Sequence, residues 1–411
     1  MANKFYAVRF LGVLGLVALA QAQTFTTLYN FCSASGCTDG YQSYAGVVRD
    51  PTGNIYGTTY SGGISGMGVV YEVSNAGVET VLHSFSGAPS DGAYPEAPLI
   101  RDSAGNLYGT TVSGGAGGGQ GGGGTVFKID TAGKETLLHN FTGNGSDGCE
   151  PLQGLVLDKA GTLYGTTSYC GAYGAGTIFK LDKSDNETVL HSFEGGSSDG
   201  GNPEYGHLIL DTAGNLYGVA LGGGSNGQGV VYKLNIRSGS FAVLHSFGGG
   251  TDGCWPYGSV TRDKAGNLYG ITWACGSSSN YEGTIWKVST SGQETILHNF
   301  SYSFSDGCYP YAGVTLDSKG NLYGVTSGCG ANNWGALYKL SATGRFVLLH
   351  SFDYWIGADP IGEVLRTTTG TLFGTSFEGG ANAGACDQQY GCGTVWSYEP
   401  KAIADRPGRR D

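Results

Sequence analysis

The sequence predicts an all-β fold: a seven-bladed β-propeller of four-stranded antiparallel blades, closed by the N-terminal strand. Three observations carry this. The run Asn-Leu-Tyr-Gly recurs at 106–109, 215–218, 267–270 and 321–324, with variants starting at Asn54, Thr162 and Thr371. A second run, Leu-His-Ser/Asn-Phe, places histidines at 83, 139, 191, 245, 298 and 350, and Tyr29 takes that place in the first copy. Successive markers lie 54, 56, 52, 54, 53 and 52 residues apart, a period that signals one stacked supersecondary unit. Finally, the chain opens on half a repeat and finishes on the complementary part.

Each unit divides into four short β-favouring segments, A to D, separated by Asp/Ser/Gly-rich turns. In the sixth copy these are 311–316, 321–326, 336–340 and 347–352. Four strands in about 50 residues is a propeller blade. The N-terminal segment 26–31 reads as a D strand, and the last segments, 361–366, 371–376 and 394–398, read as A, B and C. Together they make a seventh, composite blade, which covers an edge that would otherwise be exposed.

Composition agrees with this layout. The 411 residues include 76 Gly, which resists long helices and suits tight turns, while 26 Tyr, 17 Phe and 6 Trp supply bulk for burial. The formal charge of -11 argues against nucleic acid or an anionic membrane as partner. Lys4 and Arg9 precede an apolar run over 10–20, and Ala20-Gln21-Ala22 offers a cleavage site, so 1–22 reads as a secretory signal. The domain would then occupy 23–400, followed by a polar tail over 401–411. No later segment approaches the length needed to span a bilayer. The protein is expected to be extracellular.

Ten cysteines in a secreted chain imply disulfides. Cys149/Cys170, Cys254/Cys275 and Cys308/Cys329 are each 21 residues apart at matching repeat positions. The other copies replace both members together, by Tyr41 and Gly62, Ala93 and Gly114, Gly201 and Gly223, or Ala358 and Gly379. Cys32/Cys37 and Cys386/Cys392 form local pairs that could exchange partners across the ring closure. No recurring ligand cluster suggests a metal, and no motif calls for a cofactor.

The Asn-Leu-Tyr-Gly-Thr/Val-Thr run, the Gly-Gly or Cys-Gly after it, the Gly-Thr-Val-Phe-Lys type strand and the closing Leu-His-Ser-Phe resemble the GloVer tandem repeat of Gloeobacter and Verrucomicrobia proteins. The resemblance covers nearly all of residues 24–398. It implies a secreted or surface β-propeller and no particular catalytic residue. Many such proteins carry C-terminal surface anchors. Here the tail lacks an apolar stretch, so release is expected rather than anchoring.

Repeated residues are first given structural work. Asp50, Asp102, Asp158, Asp211, Asp263 and Asp317 precede the A–B turn, and the six motif histidines read as hydrogen-bonding braces. Function is expected where the copies differ. The loops before A and between B and C share one face, and the B–C loops vary most, from the glycine run 115–124 to the long 379–393 with Asp387, Gln388, Gln389 and Tyr390. Tyr205, Trp255, Tyr257, Trp273, Tyr281, Tyr309, Tyr311, Trp334 and Trp355 fall near this face and suit the planes and hydroxyls of sugars.

On the innermost strand the copies read Gly46, Pro98, Gly154, His207, Ser259, Gly313 and Glu363. His207 and Glu363 break a rule of small residues; they read first as a plug that fills the axis with waters, and otherwise as the candidates for an axial site, by ligand binding or proton transfer. Glu96, Glu150, Glu204 and Glu378 are further carboxylates near this face. The leading expectation is a propeller that binds an extracellular polysaccharide or surface glycan. The alternatives are a glycoside hydrolase or lyase and a structural, self-associating module. Sequons occur at Asn140, Asn144, Asn186 and Asn299.

Overall fold

The computed structural model describes residues 23–117, 122–143, 145–277, 282–386 and 391–400. The expected signal and tail lie outside these residues, as do Asn144, Tyr281 and residues 387–390. Seven four-stranded antiparallel sheets follow one another, and three two-stranded ribbons lie beyond the strand ends. Blade one is Val48–Arg49, Ile55–Thr59, Val69–Val73 and Glu79–Ser84, the strands A to D running outward. Blade seven joins Leu365–Arg366, Leu372–Ser376 and Thr394–Glu399 to the N-terminal Thr24–Asn30. The ring therefore closes on its own two ends, as the half-repeats required. Among the described residues no helix is long and apolar enough to cross a membrane.

One expectation needs correction. The expected A strands 311–316 and 361–366 contract to Thr315–Leu316 and Leu365–Arg366. The residues ahead of them crowd the axis and bond sideways: Gly154 N–H donates to Gly206 O at 2.6 Å, linking blade three to blade four. Among the described residues only blade five keeps a long inner strand, Cys254–Arg262.

Both repeat markers now have physical causes. In Asn-Leu-Tyr-Gly the Asn and Tyr side chains reach the A–B turn aspartate. Asn267 Nδ2 and Tyr269 Oη donate to Asp263 Oδ2 at 2.7 and 3.0 Å, while Asn267 N–H donates to Oδ1 at 2.9 Å. Blade seven has Thr367 in place of the aspartate and Phe373 in place of the tyrosine, so both partners are lost together. The motif glycine lies under a fully buried ring of strand C. A Cβ on Gly270 would overlap Trp286, and one on Gly57 would overlap Tyr71. In Leu-His-Ser/Asn-Phe, the phenylalanine of one blade packs against that strand-C ring of the next, edge-on against Tyr or Phe and tilted against Trp. Phe31–Tyr71, Phe85–Phe127 and Phe352–Trp396 have centroids 5.0, 5.2 and 5.4 Å apart, and the same contact recurs at every joint.

The motif histidines brace this joint. His83, His191 and His298 each place Nε2 3.1 Å from a carboxylate oxygen of Asp91, Asp199 or Asp306. Tyr29 keeps the contact in its own chemistry, donating to Asp39 Oδ2 at 2.6 Å. At His350 the aspartate position is Ile356, so burial pushes the imidazole down to about 4.

At His245 and Asp252 the next blade adds Glu294. Burial, then the hydrogen bond and charge of Asp252, push its carboxyl up to about 9. Because this value lies above the unfolded one, its stabilising contribution is complete below pH about 4.5 and is lost as pH rises toward 9. Gln keeps the hydrogen bond without the ionisation. Glu294→Gln should therefore match the parent at pH 4 and exceed it by about 1 kcal/mol at pH 9, the figure being small because the group is half solvated. Denaturant melts at the two pH values measure this, and a gap that opens in acid instead would refute it.

Candidate functional site

The D–A and B–C loops build one end of the propeller, here called the upper face, and the disulfides tie the two loop sets together. The three matched pairs form with Cα separations of 5.3 to 5.4 Å, and Cys32–Cys37 and Cys386–Cys392 close locally rather than exchanging partners. The both-or-neither pattern has a backbone cause. The residue after strand B needs positive φ: Gly62, Gly114, Gly223 and Gly379 adopt 84, 90, 76 and 72°. Cys170, Cys275 and Cys329 hold 60, 65 and 61° at the same place. Where the residue is not glycine, a disulfide holds it there.

A second ring of left-handed residues stands just ahead of each inner strand. Gln42, Tyr94, Glu150, Asn202, Trp255, Tyr309 and Asp359 have φ of 61, 58, 55, 54, 56, 57 and 52°. Each occupies one repeat position, and none is glycine. The backbone pins them between blades. Tyr94 N–H donates to Met67 O of the preceding blade at 2.9 Å, and Val112 N–H of its own blade donates to Tyr94 O at 3.1 Å. Their side chains decorate the upper face.

Inside this ring the chain turns down to the axis, where three polar side chains meet. Ser259 Oγ donates to Glu363 Oε2 at 2.8 Å and lies 2.7 Å from His207 Nδ1. His207 Nδ1 is also 3.4 Å from Glu363 Oε2. With the serine proton directed to the carboxylate, His207 Nδ1–H donates to Ser259, a tautomer assigned from these partners. That arrangement ties blades four, five and seven together, and it does not present Ser259 as a nucleophile activated by His207. Above the trio is a chamber of about 30 Å³ whose lining includes Tyr44, Glu96, Tyr205, Tyr311 and Ser259. Below it is a funnel of about 320 Å³, with His207, Thr315 and Arg366 among apolar walls.

Along its length the chain matches the Gloeobacter/Verrucomicrobia repeat model three times, over residues 12–156, 116–303 and 273–404. The chain belongs to the Gloeobacter/Verrucomicrobia repeat family. None of the curated proteins matches it. Among solved structures, an oligogalacturonate lyase in complex with manganese is similar at 13% identity and TM-score 0.54, over 92% of this chain and 97% of that one. A gluconolactonase from Xanthomonas campestris is 11% identical at TM-score 0.44, over 92% and 89% of the two chains. The first likeness bears on the fold, which this Gloeobacter/Verrucomicrobia repeat protein shares with β-propellers.

The expected ligand residues of this family member divide into two groups and two outliers. Tyr205, Tyr257 and Tyr311 meet over the axis, with Tyr205 stacked on Tyr257 at 4.6 Å and Tyr257 edge-on to Tyr311 at 4.7 Å. Beside them, Trp273 lies 5.8 Å from Trp255 and 6.1 Å from Tyr309. With Gln228 and the Cys254–Cys275 disulfide, these rings line an open cleft of about 490 Å³. Trp334 packs with Tyr354 against the core of blades six and seven, and Trp355 projects outward at 72% exposure. Neither joins the cleft.

Sequence reasoning missed a second aromatic group across blades seven, one and two. Tyr60 stacks on Tyr94 at 4.9 Å, and Tyr44 lies 4.6 Å from Phe377. A proline stands ahead of six inner strands and Ser43 takes its place in the first copy, and alignment on this position would have revealed Tyr44, which shares the repeat position of Tyr257 and Tyr311. The same alignment exposes one extra residue in blade four, Glu204 or Tyr205. Glu96 lies between the two aromatic groups, and burial, followed by the charges of Glu150 and Glu204, pushes its carboxyl up to about 7 despite a hydrogen bond from Tyr205. Asp359 is pushed up to about 6 by burial.

Proposed function

We propose that this repeat protein is a secreted propeller that binds an extracellular polysaccharide or surface glycan through its upper face. Five disulfides and the lack of a membrane-crossing helix among the described residues fit an extracellular protein. The observation that carries the binding reading is the ring of left-handed residues. A non-glycine residue in that conformation costs about 1 kcal/mol, and glycine would remove the cost. A chain with 76 glycines nevertheless places Gln, Tyr, Glu, Asn, Trp, Tyr and Asp at the seven positions. Hydrogen bonds offset the cost at Asn202, which donates to Ser168 O, and at Asp359, which is bonded by Ser327. At the Gln, Glu and aromatic positions a surface of aromatic planes and hydrogen-bonding groups favours the choice.

Trp273 is the hub of the cleft. Removing it leaves Trp255 and Tyr309 without their common neighbour and should weaken glycan binding by about 2 kcal/mol, roughly 30-fold. Glycan-array screening followed by calorimetry on the parent, Trp255→Ala and Trp273→Ala measures this, with thermal melts as the check on folding. A parent protein silent across the array, or folded variants binding as tightly as the parent, would sink the reading.

A further inference from the structure

The charges of the molecule are segregated along the propeller axis. Every D–A and B–C loop lacks lysine and arginine, although the chain holds 22 such residues. Arg49, Arg101, Arg262 and Arg366 sit at the lower ends of the inner strands, and Lys128, Lys287 and Lys339 lie over the motif tyrosines Tyr108, Tyr269 and Tyr323. The remaining described cations occupy A–B and C–D turns or the lower halves of C strands, at the same end.

The upper face has the opposite character. Glu96 feels the charges of both Glu150 and Glu204, and Tyr311 feels those of Asp359, Glu204 and Glu96, so Glu96, Glu204 and Asp359 converge on the axial tyrosines. With no lysine or arginine in the surrounding loops, Glu150 and Glu204 raise the cost of ionising Glu96, whose Oε2 is buried with no hydrogen bond. Around them are ring faces, whose quadrupole attracts a cation. The axial chamber, at about 30 Å³, has the volume of one water-sized group, and Glu96 and Glu363 both line it. An ammonium has that size and would meet the Glu96 carboxylate and the tyrosine rings.

We infer that the glycan recognised at this face carries free amino groups, with a primary ammonium seated in the axial chamber beside Glu96. The inference rests on the glycan-binding reading above and narrows it to a ligand class. Tyr205 and Tyr311 supply the planes for sugar rings, and Glu96, Glu150, Glu204 and Asp359 supply the counter-charge. A uronate or sulfated glycan would instead bring its anions against carboxylates that have no compensating cation, and would be rejected.

The test uses the disulfide-bonded mature protein and four probes of matched length in calorimetry: a glucosamine oligomer, its N-acetylated counterpart, an oligogalacturonate and an oligolysine. The glucosamine oligomer should bind at least about tenfold more tightly than the N-acetylated one, and oligogalacturonate should not bind. Glu96→Gln and Asp359→Asn should each shrink that preference, with melts confirming that both variants fold. Equal binding of the N-acetylated and free-amine oligomers would overturn the inference while leaving glycan binding intact. Oligolysine binding as tightly as the glucosamine oligomer would overturn the sugar part of it. If neither these probes nor a neutral-glycan array gives binding, the glycan reading itself fails.

Discussion

Deleting Thr24–Asn30 should lower the melting temperature by about 10 °C or more and increase aggregation relative to the parent. The strand is a small part of the chain, but it is the outer edge of blade seven and pairs along Thr394–Glu399. Phe25 stacks on His350 at 4.0 Å and meets Phe352 and Trp396 at 5.5 and 5.7 Å, so its loss opens the joint between blades six and seven. Burial of Phe25, Leu28 and Tyr29 at about 1.5 to 3 kcal/mol each gives a loss on the order of 5 kcal/mol. The edge of Thr394–Glu399 is then unpaired. Grafting the same seven residues after Glu399 in a permuted chain should recover most of the loss, because the strand would re-enter the same slot. Circular-dichroism melts with light scattering report both quantities. A truncated chain that melts within about 3 °C of the parent would show that closure contributes little.

Closure was legible because each half-repeat is incomplete alone: a D strand at one end and A, B and C at the other have only one economical pairing. The disulfides were legible for a related reason, since Cys149 and Cys170 appear or vanish together across the copies. The upper face was harder to read. Its aromatic groups form across three blades at a time, so Tyr44, Tyr60 and Tyr94 look unrelated in sequence and meet only through the curvature of the ring. The ring of left-handed residues leaves no composition signal, because its members share a backbone conformation and not a chemistry. Ser259 passed as one of the small axial residues, yet its hydroxyl is what joins His207 to Glu363. Strand A is shorter than its β-favouring residues suggest because those residues serve the axis and not the sheet.

Gly258→Ala should destabilise the protein by about 3 to 5 kcal/mol, as much as truncating a large core residue. Two costs combine at this position. Its φ of 71° is left-handed, and a Cβ there would overlap the backbone of Gly313 in blade six. The pattern runs around the axis: a Cβ on Gly206 would overlap the backbone of Gly258 and Ser259, and one on Gly46 would overlap Glu363 O of blade seven. Backbone-to-backbone contact between inner segments is thus what separates the upper chamber from the lower funnel, with the His207–Ser259–Glu363 bonds filling the gap that remains. Gly227→Ala isolates the first cost, because its φ is 69° but nothing lies within 4 Å of the added Cβ. It should lose only about 1 kcal/mol. Gly196→Ala, with open space and no left-handed requirement, should be nearly neutral. Chemical denaturation of the three variants measures the ordering. If Gly258→Ala proves no worse than Gly227→Ala, the axis has room to yield, and the inner segments cannot be the rigid floor on which the upper face is built.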